Sequence, residues 1–293
     1  FYPPRSMKLI KKGLLDSWQS LPIYGLQHEG IPPGGAMDTF SLQLANALVG
    51  NDVYDKALEM HFPAGVYQFE KSTLIAICGA DFKFCIDNVE VPMNQPIKVP
   101  AGAIISCKKP VSGRRVYLAA RELKDEQVSR VKIMPWSMGP EDAPSQDPIR
   151  ILCGREWDHL KACSQQLILS KDFAISATSN RMGYQLVQEP LKTVARTTML
   201  SSAVTAGTIQ LLPSGQLVVL MAAHQTTGGY PRIGHVISAD LPRLAQMGPG
   251  DSVRFTLTDA VTAEYEWILQ QNYLQQVRNV CALKLGQHRF DHR

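Results

Sequence analysis

Two short segments combine residue types that hold anions and polarise carbonyl groups. The first is Gly30-Ile31-Pro32-Pro33-Gly34-Gly35-Ala36-Met37-Asp38, and the second is His224-Gln225-Thr226-Thr227-Gly228-Gly229-Tyr230-Pro231-Arg232. Each joins a Gly-Gly pair, which lets backbone approach a ligand closely, to proline, which stiffens the approach. Successive N–H groups at Gly228 and Gly229 can face an anion or a developing oxyanion. Gln225, Thr226 and Thr227 place short polar side chains just ahead of them. Arg181 and Arg232 offer forked grips for a carboxylate or phosphate. Tyr230 either stacks on a substrate or packs. His224 and His235 flank the second segment, where a histidine can act as acid or base near neutral pH. Loops of this kind on a rigid scaffold are where binding and catalysis concentrate. The plain alternative is a pair of ordinary turns.

These loops need a scaffold, and the surrounding pattern is mostly β. Leu74 to Cys78 is a continuous apolar run, and Phe82 to Asp87 alternates as a half-buried strand does. Asp87-Asn88 supplies a turn. Val89 to Val91, Gln95 to Val99, Ala103 to Cys107 and Val116 to Ala120 follow at even spacing, the pattern of a closed or nearly closed barrel. The second half repeats it at Pro148 to Leu152, Phe173 to Ile175, Gly207 to Leu211, Leu217 to Met221 and Ser252 to Leu257, with a turn at Pro213-Ser214-Gly215. Ala239 to Leu244 reads as a short helical turn. Thr262 to Val277 has helical spacing and is expected to be a C-terminal helix. One helix interrupts the first half at Thr39 to Leu48, with Asp38 as N-cap and Gly50 as stop. Pro33 to Met37 then sit at a helix N-terminus, which favours an anion; a plain capped helix explains the same residues. The stretch from Trp136 to Pro148 is rich in proline, small residues and acid, and reads as a linker. The expected division is 7–135, a linker at 136–147, and 148–293 with the C-terminal helix. Phe1 to Ser6 precede Met7 and read as an expression remnant.

Composition excludes several classes. The chain has 293 residues, of which 45% are hydrophobic and 19% charged, enough apolar material for a large core. A net charge of +4 is small for this length, and the densest basic groups are only Lys108-Lys109 and Arg114-Arg115, so no nucleic acid is expected as partner. No apolar run reaches the roughly 18 residues that span a bilayer, and no secretory core follows the start, so no membrane and a cytoplasmic location are expected. None of the six cysteines forms a Cys-x-x-Cys pair, and the histidines do not cluster with them, so no metal is expected. Reduced, mostly buried thiols are the simpler reading. A phosphate-binding Gly-x-x-x-x-Gly-Lys-Ser/Thr loop, a serine nucleophile elbow and a Met-Lys-Met biotin acceptor are all missing; no covalent biotin is expected on this chain.

Several longer stretches carry a resemblance. Besides the two glycine-rich segments, they are Ser41 to Asn51, Leu58-Glu59-Met60, Ser179-Asn180-Arg181-Met182-Gly183-Tyr184, Gly207-Thr208-Ile209-Gln210 and Ala239-Asp240-Leu241. In this order, from about Met7 to about Phe255, the chain resembles the C subunit of bacterial 5-oxoprolinase, also known as the KipI antagonist family. That family is similar in turn to the second subunit of allophanate hydrolase and to the carboxyltransferase domain of urea carboxylase. The resemblance implies a mainly β protein of two fused cyclophilin-like β-barrel domains with a few short helices. It implies an enzyme subunit active only with the A and B subunits of 5-oxoprolinase (the latter KipI-like), opening the small molecule 5-oxo-L-proline to L-glutamate. ATP is the cofactor of the complex, not necessarily held on this chain. The implied catalytic residues are Gln225, Thr226, Thr227 and Arg181. The implied substrate-binding residues are Pro33, Gly34, Gly35, Met37, Asp38, Glu59, Gly228, Gly229, Tyr230 and Arg232. Asp38 needs nothing beyond a helix cap to explain it. Relatives often carry aspartate where His224 stands, so His224 is not given a catalytic role. Family members usually continue past a strand like Val116 to Ala120 into a glycine-rich stretch, whereas Ala120 here leads straight to Arg121-Glu122-Leu123. The alternatives are a biotin-dependent carboxyltransferase-like subunit of the urea or allophanate type, and a non-catalytic regulator that antagonises a KipI-like kinase inhibitor.

Overall fold

A computed structural model describes residues 7–124, 126–138, 147–194 and 199–290. The residues group into two compact units. One comprises Phe1–Leu21, Asp38–Ala143 and Gln271–Arg293, and the other Pro22–Met37 and Pro144–Gln270. The main division falls between Ala143 and Pro144, inside the stretch 136–147 read as a linker; Pro22–Met37 joins the later residues, and the chain from Gln271 joins the earlier ones. Most of that linker (139–146) and the leading residues 1–6 lie outside the described residues.

Among the described residues the first unit holds eleven strands: β1 (Met7–Lys11), β2 (Ser17–Gln19), β3 (Ala57–Met60), β4 (Val66–Phe69), β5 (Thr73–Asp81), β6 (Phe84–Ile86), β7 (Val89–Glu90), β8 (Ile97–Val99), β9 (Ile104–Cys107), β10 (Ser112–Glu122) and β11 (Lys132–Ile133). They form a five-stranded sheet, β1-β4-β9-β6-β7, and a six-stranded sheet, β11-β8-β5-β10-β3-β2. Alternate residues of each sheet enclose one core. Leu58, Met60, Ile75, Ile77, Val116 and Leu118 enter it from the larger sheet, and Phe69, Phe84, Ile86 and Ile105 from the smaller. Burying each such side chain stabilises the unit by about 1.5–3 kcal/mol. The opposite face of β3, β5 and β10 is buried too, at Ala57, Glu59, Ala76, Cys78, Tyr117 and Ala119. Helix α1 (Thr39–Val49) covers it, with every residue from Ser41 to Val49 buried. That double burial explains why β5 and β10 read as continuous apolar runs instead of alternating. β10 passes through Ala120 and Arg121 without interruption, pairing them with Ile75 and Leu74.

The second unit holds β12 (Ile149–Cys153), β13 (Phe173–Ile175), β14 (Gly183–Val187), β15 (Ser202–Ala203), β16 (Thr208–Leu211), β17 (Leu217–Leu220), β18 (Thr227–Gly228), β19 (Arg232–Val236), β20 (Ser252–Val253) and β21 (Phe255–Leu257), with helices α2 (Ala162–Ser170) and α3 (Leu241–Ala245). Eight strands form one sheet in the order β20-β13-β14-β17-β16-β19-β12-β21; β15 and β18 pair separately as a small ribbon. The sequence reading of one strand from Ser252 to Leu257 is corrected here. Arg254 breaks it, and the two halves pair at opposite edges of the sheet, with Phe173-Ala174 and with Ile149 to Ile151. Because one residue separates the two edge strands, the sheet nearly closes on itself as a barrel, around Ile151, Phe173, Tyr184, Ile209, Val219, Val236 and Phe255. The chain is thus mainly β with few helices, as expected.

The C-terminal helix runs from Ala260 to Phe290, well beyond the expected Thr262 to Val277. Apolar periodicity fades after Cys281, yet Ala282, Leu283, Lys284 and Leu285 are good helix formers and carry the helix on. In the first unit its Tyr273 stacks on Phe40 with ring centroids 5.9 Å apart, and Arg278 donates to Gln43 at 2.7 Å. No helix among the described residues is long and apolar enough to cross a membrane.

Candidate functional site

In the second unit, Arg181 brings the two glycine-rich segments together. It lies in a turn closed by Asn180, whose N–H donates to the Gly183 carbonyl at 3.1 Å and whose side-chain oxygen accepts from the Met182 N–H at 2.8 Å. The Arg181 guanidinium donates through Nη2 to the carbonyl of Gly35. Its own carbonyl accepts from the N–H of Ala223 at 2.9 Å, immediately before His224. One residue therefore fixes the first loop with its side chain and the second with its backbone.

The first loop is shaped by two successive left-handed residues, Gly34 (φ 62°) and Gly35 (φ 83°), a conformation that side chains rarely tolerate. The Ile23 N–H binds the Pro33 carbonyl at 3.0 Å, and Met37 is buried in the core of the second unit. Both ends are thus anchored, and a Cβ on Gly34 would meet no atom closer than 4.0 Å. The backbone at Gly34 is open for a ligand to approach.

The second loop starts from a buried histidine. His224 is 2% exposed; its N–H binds the Met221 carbonyl and its Nδ1 the Gln225 carbonyl. A carbonyl partner makes Nδ1 the protonated nitrogen. Gln225 and Thr226 are half-buried and Thr227 is exposed. Thr227 and Gly228 then pair with Ala203 and Ser202 in the β15–β18 ribbon. The Gly228 position has an internal reason for lacking a side chain. A Cβ there would lie 2.3 Å from Nε2 of Gln210, so the position has no room for a side chain. At Gly229 the nearest atom to such a Cβ is Ser201 Oγ, at 3.4 Å. Tyr230 is 43% exposed.

Arg232 begins β19 and is held by Glu156. Its backbone N–H, Nε and Nη2 donate to the two carboxylate oxygens at 2.9, 3.1 and 2.9 Å. The grip expected for a substrate anion is spent on an internal carboxylate. The guanidinium fork, ahead of the cost of burial, holds the Glu156 carboxyl below its ordinary value. Because the folded value is the lower one, the pair's contribution is complete above the unfolded carboxylate value of about 4.3 and is lost as pH falls through the depressed folded value. Glu156→Gln is expected to cost about 2 kcal/mol near neutrality. The gap in melting temperature should begin to narrow as pH falls below the unfolded carboxylate value of about 4.3 and close only below the depressed folded value of Glu156; thermal melts from neutral pH down into that acid range check this.

Asp38 and Glu59 belong to the first unit. Asp38 caps α1, accepting from the Ser41 N–H at 2.8 Å and the Ser41 hydroxyl at 2.6 Å. The Tyr117 hydroxyl accepts the Asp38 backbone N–H at 2.8 Å and donates to Glu59 at 2.7 Å. Asp38, Glu59 and Tyr117 are all 2% exposed or less. Burial first, then the neighbouring Glu59 and Asp38, push the Tyr117 hydroxyl well above its ordinary value, so it stays protonated and able to donate. Sequence reasoning missed Tyr117, Gln210 and Glu156. Tyr117 sits inside an apolar run whose two faces are both covered, which hides its polar atom. Glu156 and Arg232 are far apart in the chain, so no local pattern links them. Gln210 lies in a stretch read only as a strand and as part of the resemblance, with nothing local to single out its amide. Among the described residues no group of three or more His, Cys, Asp or Glu is placed to hold a metal ion.

Residues 29–131 and 122–257 match the family described as carboxyltransferase domain, subdomain A and B. The chain is 31% identical to the 5-oxoprolinase C subunit of Escherichia coli (strain K12), over 92% of this chain and 97% of that protein. It is 29% identical to the 5-oxoprolinase C subunit of Haemophilus influenzae, over 89% of this chain and 94% of that protein. The crystal structure of the Kluyveromyces lactis urea amidolyase superposes with a TM-score of 0.80 at 22% identity over 94% of this chain, which spans only 20% of that larger protein. This last likeness concerns the fold.

Proposed function

The chain belongs to the family of carboxyltransferase domains, subdomains A and B, and from that membership we propose that it is the C subunit of an ATP-dependent 5-oxoprolinase. The observation that carries the reading is the alignment along nearly the full length of two 5-oxoprolinase C subunits, against a fifth of the urea amidolyase. In the proposed reaction the lactam C–N bond of 5-oxo-L-proline breaks. One water supplies hydroxyl to the carbonyl carbon and a proton to nitrogen, and a second water is consumed as ATP becomes ADP and phosphate. The A and B subunits complete the enzyme, in the cytoplasm, and ATP belongs to the complex without being assigned to this chain.

An unstrained lactam opens when charge building on its carbonyl oxygen is stabilised in place. Open backbone at Gly34 and the polar side chains of Gln225, Thr226 and Thr227 are the groups offered to the substrate. Arg181 acts as a positioning residue, holding the Gly35 carbonyl and the Ala223 N–H. Arg232 and Asp38 serve the scaffold, through Glu156 and α1 respectively. A second reading, a carboxyltransferase-like subunit fed by a biotinylated carrier, draws on the family match and the urea amidolyase fold. Supplying biotinylated carrier and urea separates the two: bicarbonate-derived carbon on urea supports the second, and glutamate from 5-oxoproline supports the first.

A further inference from the structure

Two polar side-chain atoms beside Gly228 have no partner. Gln210 is 2% exposed, and its Nε2 is buried without a hydrogen bond among the described residues. The same holds for Ser202 Oγ. Nε2 lies 2.3 Å from where a Gly228 Cβ would stand, and Ser202 lies opposite Gly228 in the ribbon register. Leaving a buried donor unmet costs about 1–3 kcal/mol. A pair of such orphans at one spot marks a place where something else supplies the acceptor.

From this arrangement we infer that Gln210 and Ser202 form a subsite for the neutral carbonyl oxygen of an amide or lactam, with Gln210 Nε2 as donor. The inference rests on the 5-oxoprolinase reading for its substrate and deepens it to a residue that selects the lactam oxygen. Three features support it. First, a primary amide is a neutral donor with two hydrogens; an anion at the same buried position would bring a charge that the amide cannot neutralise. Second, the cover is slight. β15 and β18 contribute two residues each, Ala203 and Thr227 are exposed, and the Val204 N–H to Thr226 carbonyl bond is 3.2 Å long. A ribbon this short opens at little cost, as the least stable parts of a fold do. Third, Gln210 is held at its root in the middle of the sheet, where β16 pairs with Val218 on one side and Arg232 on the other. The donor is therefore held by the sheet beneath a cover of only two residues per strand, the arrangement a recognition residue needs.

The test uses the intact chain with glutamine side chains labelled with nitrogen-15, the Gln210 amide being assigned by its loss in Gln210→Glu. 5-Oxo-L-proline and 2-pyrrolidinone, which carry the ring carbonyl, are expected to shift that amide; L-proline, which lacks it, is not. In the reconstituted complex Gln210→Met, which fills similar space without the donor, is expected to raise KM for 5-oxoproline about tenfold, with a smaller change in kcat and a melting temperature that does not fall. An amide that ignores all three compounds, or that responds equally to proline, overturns the subsite and leaves a buried water as its partner. A shift with both lactams in a chain whose complex makes no glutamate supports the subsite and contradicts the 5-oxoprolinase reading instead.

Discussion

Arg181→Ala is expected to lower kcat/KM of the reconstituted complex for 5-oxoproline about 100-fold while leaving the chain folded. The reasoning is geometric. The Gly34-Gly35 backbone is held in a left-handed path, and the Arg181 bond to the Gly35 carbonyl ties that path to the turn before His224. Without the guanidinium the loop loses its tie, and a displacement of about 1 Å in a positioning group costs about two orders of magnitude in rate. The loop has other anchors, at Ile23 and Met37, so the melting temperature should fall by only a few degrees. Arg181→Lys keeps the charge and one donor and should recover part of the rate. A purely structural arginine gives the opposite pattern: a large loss of stability with kcat unchanged in whatever remains folded.

Tyr117→Phe is the second large effect, and it falls on stability. The hydroxyl donates to Glu59 and accepts from the Asp38 N–H, and all three residues are buried. Removing one oxygen leaves a carboxylate short of a donor and a backbone N–H short of an acceptor, a cost of about 3 kcal/mol for the two together. The Asp38 cap on α1 depends on the same N–H staying in place, so the loss spreads to the helix that covers β5 and β10. Urea unfolding should show a lower midpoint with an unchanged slope. A midpoint within error of the parent would mean that the hydroxyl is spare. Glu59→Gln should cost less, because the glutamine amide oxygen still accepts from Tyr117.

Parts of this molecule were legible because their signals are local. Asp38 and Gly50 bracket α1, and the helix found, Thr39–Val49, follows those marks. Asp87 and Asn88 adopt φ of 48° and 69°, the turn that their side chains favour. The apolar runs around Leu74 and Val116 became the two longest strands, extended at both ends into polar residues that pair as well as apolar ones do. Other parts depended on distance along the chain. Nothing near Arg254 announces that its two neighbours pair at opposite edges of one sheet. Helix α2 escaped notice because only Ser164 and Ile168 are buried and no side chain caps it. The segment Pro22–Met37 carries no periodicity, and its place in the second unit rests on contacts with residues more than a hundred positions later, such as Arg181. Glycine misled in one respect. Gly34 and Gly35 do lend the backbone a special path, whereas Gly228 is small because Gln210 lies against it. A Gly-Gly pair reports close approach without saying what approaches. The thiols divide similarly: Cys78, Cys85 and Cys281 are buried as expected, and Cys153 and Cys163 are exposed.

The central claim is that this chain is a required subunit of an ATP-dependent 5-oxoprolinase. Its most direct test is glutamate formation from 5-oxo-L-proline with ATP, using this chain mixed with the proteins encoded beside it, and then with this chain alone omitted. Glutamate that appears with the full mixture and ATP, and disappears on omission, is the predicted result. Glutamate formed at the same rate without this chain, or none formed by the full mixture, would contradict the claim.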